Sequence, residues 1–349
     1  MRVGIVGCGK IARNHVPALR GVAGVEVVAV ADVDVGRAGV FAAAHDIPHS
    51  YADVEEMLAT GLDAVTICTP HGAHEAGVLA AARHRTHVLC EKPIALRVEQ
   101  AQRMIAATAA AGVRFGVLFQ RRFWPAARSI REAIDDGRLG RPISGGVVAR
   151  LNRDAEYYAE PWRGRQATEG GGVLMTQVIH HIDLLQWFMG PPRRVTGRCD
   201  TLVHHGVIEV EDTAAAIVEF ASGGIATIQA GTTFRPGLGV QLWVTDASGR
   251  TVGLSEFPEG LAFTDVSTLD DQRVLHAGVA TASMGDLPLA EIHDHLAPYH
   301  AMQIEDFVAA VREGREPAVT GRDAVRSLEI IEAIYDSSRS GYAVQVGRW

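Results

Sequence analysis

The chain of 349 residues is too long for one ordinary domain and suits two, and its 47% apolar and 21% charged residues fit a globular core, which excludes a disordered or fibrous chain. Thirty-three basic against 41 acidic residues leave a formal charge of −8; such a surface repels phosphate backbones, so no nucleic-acid partner is expected from the short pairs Arg121-Arg122 and Arg193-Arg194. No apolar run nears the roughly 20 residues of a membrane span, a strand pattern starting at Arg2 leaves no room for a signal peptide, and the four cysteines lack CxxC spacing, so a cytoplasmic protein with reduced thiols is expected.

Along residues 1–120, short apolar runs (3–6, 25–31, 64–68, 87–90 and 115–119, with a weaker one at 49–51) alternate with Ala-rich helical patterns such as 75–83 and 98–111. Strands buried on both faces read as continuous apolar runs, and their alternation with helices predicts an α/β domain with a doubly wound parallel sheet. After Gln120 the rhythm changes. Helices are expected over 125–135 and 172–189, with a strand at 143–150 and a polar segment rich in Tyr, Trp and Arg at 152–169 between them. Segments 194–203, 213–220, 224–232 and 240–246 alternate apolar and polar residues, the mark of an antiparallel sheet with one face exposed. Amphipathic helices at 300–313 and 322–338 close the chain. The second domain, 121–349, is thus predicted to be α+β, with a large open, mainly antiparallel sheet, and its final helices have the option of packing back on the first. An open face that wide predicts a homodimer or homotetramer.

The first turn carries the earliest chemical signal. Gly7-Cys8-Gly9-Lys10-Ile11-Ala12 is a G-x-G-x-x-A turn between a strand and a helix: Gly7 permits the tight turn, Gly9 lets backbone approach a pyrophosphate, and Ala12 lets the helix pack closely. The helix N-terminus offers N–H groups and a positive dipole end to phosphates. Asp32, 25 residues after Gly7 at the end of the second strand, is spaced to accept the ribose hydroxyls of an adenosine. Its charge would repel a 2′-phosphate, so NAD is expected over NADP, with Arg37 near enough to soften the preference.

Two later segments carry a resemblance. The fifth strand ends in Cys90-Glu91-Lys92-Pro93, and residues 170–183 read GGGVLMTQVIHHID. With Thr69, Pro70 and His74 after the fourth strand, this order resembles the glucose–fructose oxidoreductase/inositol dehydrogenase (Gfo/Idh/MocA) family across nearly the whole chain. The resemblance implies a Rossmann domain, hydride transfer between NAD and a secondary hydroxyl of a sugar, cyclitol or nucleotide sugar, and proton handling by Lys92 and His180. It places Glu91, Lys92, Thr69, Pro70, His74, Gln120, Trp162 and Arg163 beside the cofactor, in addition to Gly7, Gly9, Lys10, Ile11, Asp32 and Arg37. Tyr157, Tyr158 and Gln177 are implied at the substrate.

The residues agree with that implication. Lys92 follows a strand's carboxyl end, where ligands of open α/β sheets bind, and desolvation beside a nicotinamide cation would lower its pKa. His180, Asp183 at i+3 and Thr176 at i−4 share one helix face; His181 points about 100° away. Asp183 is expected on a substrate hydroxyl. Thr176 stands where many family members carry an aspartate and cannot titrate, and the polar Thr176-Gln177 pair resembles the branch acting on nucleotide-linked or N-acetylated sugars. The histidine pairs His71/His74, His84/His87, His204/His205 and His293/His295 lack the carboxylate context of a zinc site, and no metal is expected. Two other readings stay open: tightly held NAD used for redox-assisted glycoside cleavage or elimination, and a non-catalytic NAD-sensing protein.

Overall fold

A computed structural model describes residues 1–255 and 289–347, with side chains from 296 onward in the second stretch; His293 and His295 therefore lie outside the described side chains. The chain divides into two units, one of Met1–Gln120 with Leu296–Val325, the other of Arg121–His295 with Arg326–Trp349.

The first unit opens with β1 (Arg2–Val6), α1 (Ala12–Arg20), β2 (Glu26–Ala31), α2 (Val35–Ala44), β3 (His49–Tyr51), α3 (Val54–Leu58), β4 (Ala64–Ile67), α4 (His74–Arg83), β5 (His87–Cys90), α5 (Val98–Ala111) and β6 (Phe115–Val117). The strands lie in the order β3-β2-β1-β4-β5-β6, and every pairing is parallel. The expected doubly wound sheet is present. Its strands read as apolar runs because both faces are covered: all four residues of β4 are buried, as are four of the five in β1. Local signals set the helix ends. The Asp34 side chain caps α2 by accepting the Arg37 N–H, and Gly112 closes α5 in the left-handed region at φ 69°.

The second unit starts with α6 (Pro125–Asp135), β7 (Pro142–Arg150), α7 (Gln166–Glu169) and α8 (Ile179–Met189), followed by β8 (Pro192–Asp200), β9 (Thr213–Phe220), β10 (Ile225–Gly231), β11 (Gly239–Asp246) and β12 (Thr251–Ser255). The last elements of the chain are α9 (Leu289–Glu313), α10 (Gly321–Ser340) and β13 (Val344–Gln345). Among the described residues the second sheet has seven strands, ordered β12-β11-β7-β10-β9-β8-β13; β10 and β7 run parallel and the other pairs antiparallel. β12 and β13 lengthen the sheet beyond the strands read from the sequence. One face is buried through Ala216, Val218, Ala226, Ile228, Leu242 and Val244. On the other face Ile217 and Ile225 remain 50% and 52% exposed, and the Trp243 indole lies over Gly146, where a Cβ would sit 2.3 Å from the ring.

The first unit is completed late in the chain. Ile304, Phe307 and Val308 of α9 join the core cluster that holds Val3, Ile5, Val30 and Leu89. The edge strand β6 is tied to the same segment, since the Val117 N–H donates to the Val319 carbonyl at 3.2 Å and Gln303 Nε2 donates to the Val117 carbonyl at 2.7 Å.

Candidate active site

In the first unit, the turn after β1 has the geometry that phosphates require. Gly7 sits at φ +92°, and a Cβ there would lie 2.8 Å from the Cys68 and Thr69 backbone, so only glycine fits. A Cβ on Gly9 would meet nothing within 4 Å, which leaves that face open to a ligand. The first turn of α1 has no side-chain cap at Ile11, so its N–H groups remain for an anion. Lys10 is exposed and Ile11 half-buried at this rim. These features fit a dinucleotide.

Asp32 lies just past β2 and shapes the turn as well as facing it. Its Oδ2 accepts the Cys8 N–H at 2.9 Å and its Oδ1 accepts the Asp34 N–H at 2.9 Å. Arg37 reaches this carboxylate, its guanidinium 3.3 Å from both Asp32 and Asp34. Burial, then the Asp32 charge, push the Cys8 thiol up to about 12, so this cysteine stays a neutral lining of the turn.

β5 delivers Glu91 buried and Lys92 half-buried directly past its carboxyl end. Glu91 Oε2 accepts the Lys92 backbone N–H at 3.2 Å. Its Oε1 lies 3.1 Å from His15 Nε2 on α1 and 3.5 Å from His300 Nε2 on α9. Burial opposes ionisation of Glu91, but the bonds and charge of the two imidazoles take its carboxyl well below the usual carboxylate range. His74, at the start of α4, is fully buried with Nδ1 2.8 Å from the Pro93 carbonyl and Nε2 2.9 Å from the Thr69 carbonyl. A neutral ring can donate to one of them only, and burial lowers its pKa. It links the loop after β4 to the Lys92-Pro93 segment. Gln120 is half-buried three residues past β6, a strand two residues shorter than expected.

In the second unit, the glycine run before α8 exists because backbone and side chains crowd it. A Cβ on Gly171 would sit 2.0 Å from the Tyr335 hydroxyl, and one on Gly172 1.8 Å from the Glu211 carbonyl oxygen. The Glu211 carboxylate accepts the Gly172 and Leu174 N–H groups at 2.8 and 3.0 Å and the Tyr335 hydroxyl at 3.0 Å. The expected helix from residue 172 is instead a π-turn, Leu174–Val178, running into α8. Such turns are rare and recur at functional sites. Thr176 and Gln177 lie inside it, and His180, 4% exposed, is in the first turn of α8. The Thr176 hydroxyl donates to the Gly172 carbonyl at 2.6 Å, and Gln177 Nε2 donates to the Tyr157 hydroxyl at 2.9 Å.

The polar segment 152–169 gathers around Tyr157. Arg163 donates to the Tyr157 hydroxyl at 2.5 Å and its guanidinium carbon lies 4.3 Å from the Tyr157 ring centroid and 4.5 Å from that of Trp162. Trp162 Nε1 donates to Glu160 Oε2 at 2.9 Å, and the same oxygen is 3.4 Å from Arg163 Nε. Tyr158 packs edge-on to Tyr157 and bonds the Thr232 hydroxyl at 3.1 Å. Burial raises the pKa of both tyrosines, so they act as neutral hydroxyls.

Asp183 departs from expectation. It is fully buried, and both of its oxygens accept from Arg122, Nε to Oδ2 and NH2 to Oδ1, each at 2.7 Å. Gln186 and Ser327 add bonds to Oδ1 at 3.1 and 3.2 Å. With four donors already in place, it holds Arg122 instead of offering a free acceptor to a substrate hydroxyl. His181 is also buried, its ring 6.3 Å from that of Trp124. Sequence reading missed Arg122, Glu211, His15 and His300. His15 alone left a trace, lying one turn past Ile11 on the phosphate helix. Among the described residues, the His/Cys/Asp/Glu group close enough to share a metal is His15, Glu91 and His300.

Comparison with known proteins agrees with these two architectures. Residues 1–119 match the profile of the oxidoreductase family with an NAD-binding Rossmann fold, 127–250 match the GFO/IDH/MocA C-terminal domain, and 264–346 match the oxidoreductase family C-terminal alpha/beta domain. The chain is 30% identical to the 1,5-anhydro-D-fructose reductase of Ensifer adhaerens, covering 99% of this chain and 98% of that one. It is 28% identical to the inositol 2-dehydrogenase of Rhizobium meliloti (strain 1021), covering 95% of each. The crystal structure of the WlbA dehydrogenase from Bordetella pertussis, in complex with NADH and UDP-GlcNAcA, superposes with a TM-score of 0.82 at 30% identity, covering 99% of this chain and 98% of that one. With a phosphate turn that only glycine can form, a lysine at the end of β5 and family profiles matched through both units, the chain belongs to the Gfo/Idh/MocA family and is an NAD-dependent oxidoreductase acting on CH–OH groups.

Proposed function

We propose that this protein moves a hydride between NAD and the secondary carbinol carbon of a sugar, cyclitol or nucleotide sugar, with His180 taking the hydroxyl proton and Lys92 orienting that hydroxyl. In the oxidative direction the carbon gives up a hydride and the oxygen a proton, leaving a ketone. Bound NAD supplies the two-electron acceptor. The observation that carries the reading is Lys92, half-buried at the carboxyl end of β5 and flanked by the buried Glu91 and Pro93. Thr176 has no acidic proton and its hydroxyl is spent on the Gly172 carbonyl. In this reading proton handling falls to His180 and Lys92. Support for the substrate class comes from relatives named for an anhydro-sugar and inositol, and from a structural relative that holds UDP-GlcNAcA. The Thr176-Gln177 pair and Tyr157, joined to it through Gln177, are the substrate-facing residues in this reading, with Tyr158 beside them. The cofactor-facing set is the one implied by the family, from Gly7 to Arg163.

The test is an NADH-coupled screen of polyols, sugars and nucleotide sugars with purified protein. Turnover on a member of the panel is expected, together with its loss in Lys92→Ala and His180→Ala while NADH still binds. Turnover that survives both substitutions removes the proton-handling role. Cofactor that co-purifies with no net NADH formed points instead to redox-assisted cleavage or elimination, and binding without turnover to an NAD sensor. The half-exposed Ile217 and Ile225 on the open face of the second sheet support a homodimer or homotetramer. The four unpaired cysteines support a reducing, cytoplasmic setting.

A further inference from the structure

Glu91 is buried within the first unit with each oxygen engaged separately. One faces two imidazoles, His15 Nε2 at 3.1 Å and His300 Nε2 at 3.5 Å, whose rings meet edge-on at 4.7 Å. The other accepts the backbone N–H of Lys92. On the far side of Lys92, the Pro93 carbonyl is held by His74. The lysine is thus fixed from the residue before it and the residue after it, by side chains from α1, α4 and α9.

A metal is a poorer reading of the same trio. Among the described residues His15 Nδ1 has no hydrogen-bond partner, whereas a metal-bound imidazole is normally oriented through its second nitrogen.

We propose that His15 and His300 are positioning residues for Lys92, acting through Glu91. His15 bonds the carboxylate and His300 packs edge-on to His15 with its Nε2 3.5 Å from the same oxygen; the carboxylate fixes the Lys92 peptide, and the ammonium is delivered in one orientation at the strand end. α1 carries His15 in its first turn, on the helix whose N-terminus would face a bound pyrophosphate. The inference rests on the role proposed for Lys92.

The chain contains two lysines, Lys10 and Lys92, so amine labelling reads Lys92 with an internal reference. The experiment is limited acetylation of full-length protein with acetic anhydride in the presence of NADH, with the Lys92 to Lys10 ratio measured by mass spectrometry. His300→Phe is expected to raise that ratio by about fivefold, the effect of loosening one buried charge-complementary contact on local opening. His300→Gln keeps an N–H for Glu91 and is expected to return the ratio to near the parent value. NADH affinity should change by less than about twofold in both, because neither substitution touches the phosphate turn itself. An unchanged ratio in His300→Phe overturns the proposal. So does an equal rise in His300→Gln, or stoichiometric zinc in the parent protein that His300→Phe loses. Turnover retained by Lys92→Ala strikes the catalytic role of Lys92 and leaves the labelling ratio as the separate judge of positioning.

Discussion

At the scale of single residues, the pair Arg122–Asp183 shows how a short motif misleads. The spacing of His180 and Asp183 puts both on one helix face, which reads as two groups aimed at a substrate. The structure gives the carboxylate a guanidinium fork, with side chains only 4% and 1% exposed. A buried pair of this kind is costly to break because the survivor keeps an uncompensated charge. Asp183→Asn should therefore cost about 3–5 kcal/mol of stability, read as a fall in melting temperature with or without substrate. A variant with unchanged melting and a raised KM for substrate would return Asp183 to the substrate's hydroxyls. Arg122 precedes Asp183 by 61 residues, and no periodicity links them, so the partner was not legible. The phosphate turn was, because every one of its determinants lies between Gly7 and Asp32. The place of Lys92 past β5 was legible, but the surroundings of the neighbouring Glu91 were not: His300 lies 3.5 Å from Glu91 on a helix about 210 residues later in the sequence.

At the scale of elements, the α/β rhythm of the first 120 residues was readable because β1, β4 and β5 are buried on both faces and so appear as unbroken apolar runs. The second sheet was readable for the opposite reason, an inside–outside alternation along β9 and through Ala230 of β10. The π-turn was not, since Leu174–Val178 carries no composition that distinguishes it from an α-helix; the crowding of Gly171 and Gly172 by Glu211 and Tyr335 becomes visible only in three dimensions. The open face of the sheet forms a row in which Thr196 is opposite Ile217, Ile217 opposite Thr227, Thr227 opposite Gly146 and Gly146 opposite Trp243. A flat row with Ile217 and Trp243 among small residues suits a flat partner surface. Ile217→Glu is expected to lower the molar mass in solution, measured by light scattering, without lowering the mass-normalised helical signal. A parent protein already monomeric at micromolar concentration would remove the oligomer proposal.

At the scale of the molecule, the chain leaves its first unit at Gln120 and returns to it at Leu296. Fragment 1–120 therefore lacks Ile304, Phe307 and Val308, whose loss uncovers the core beside Val3, Ile5 and Leu89, and it lacks the Val319 carbonyl that pairs with β6. Fragment 1–120 alone is expected to melt without a cooperative transition. Adding residues 296–325 through a flexible linker should restore that transition, as followed by circular dichroism. A cooperative melt of 1–120 at the temperature of the full chain would show the late segment to be dispensable.

The return of α9 to the first unit also sets a clock on the nascent chain. Residues 121–295 must leave the ribosome between the last strand of the nucleotide-binding sheet and the helix that completes it, a delay of roughly 9–35 s at about 5–20 residues per second. Throughout that interval the apolar bed for Phe307 is exposed to other newly made chains. Synthesis in the cell thus favours a holding chaperone on the N-terminal sheet, although the finished protein has a covered core there.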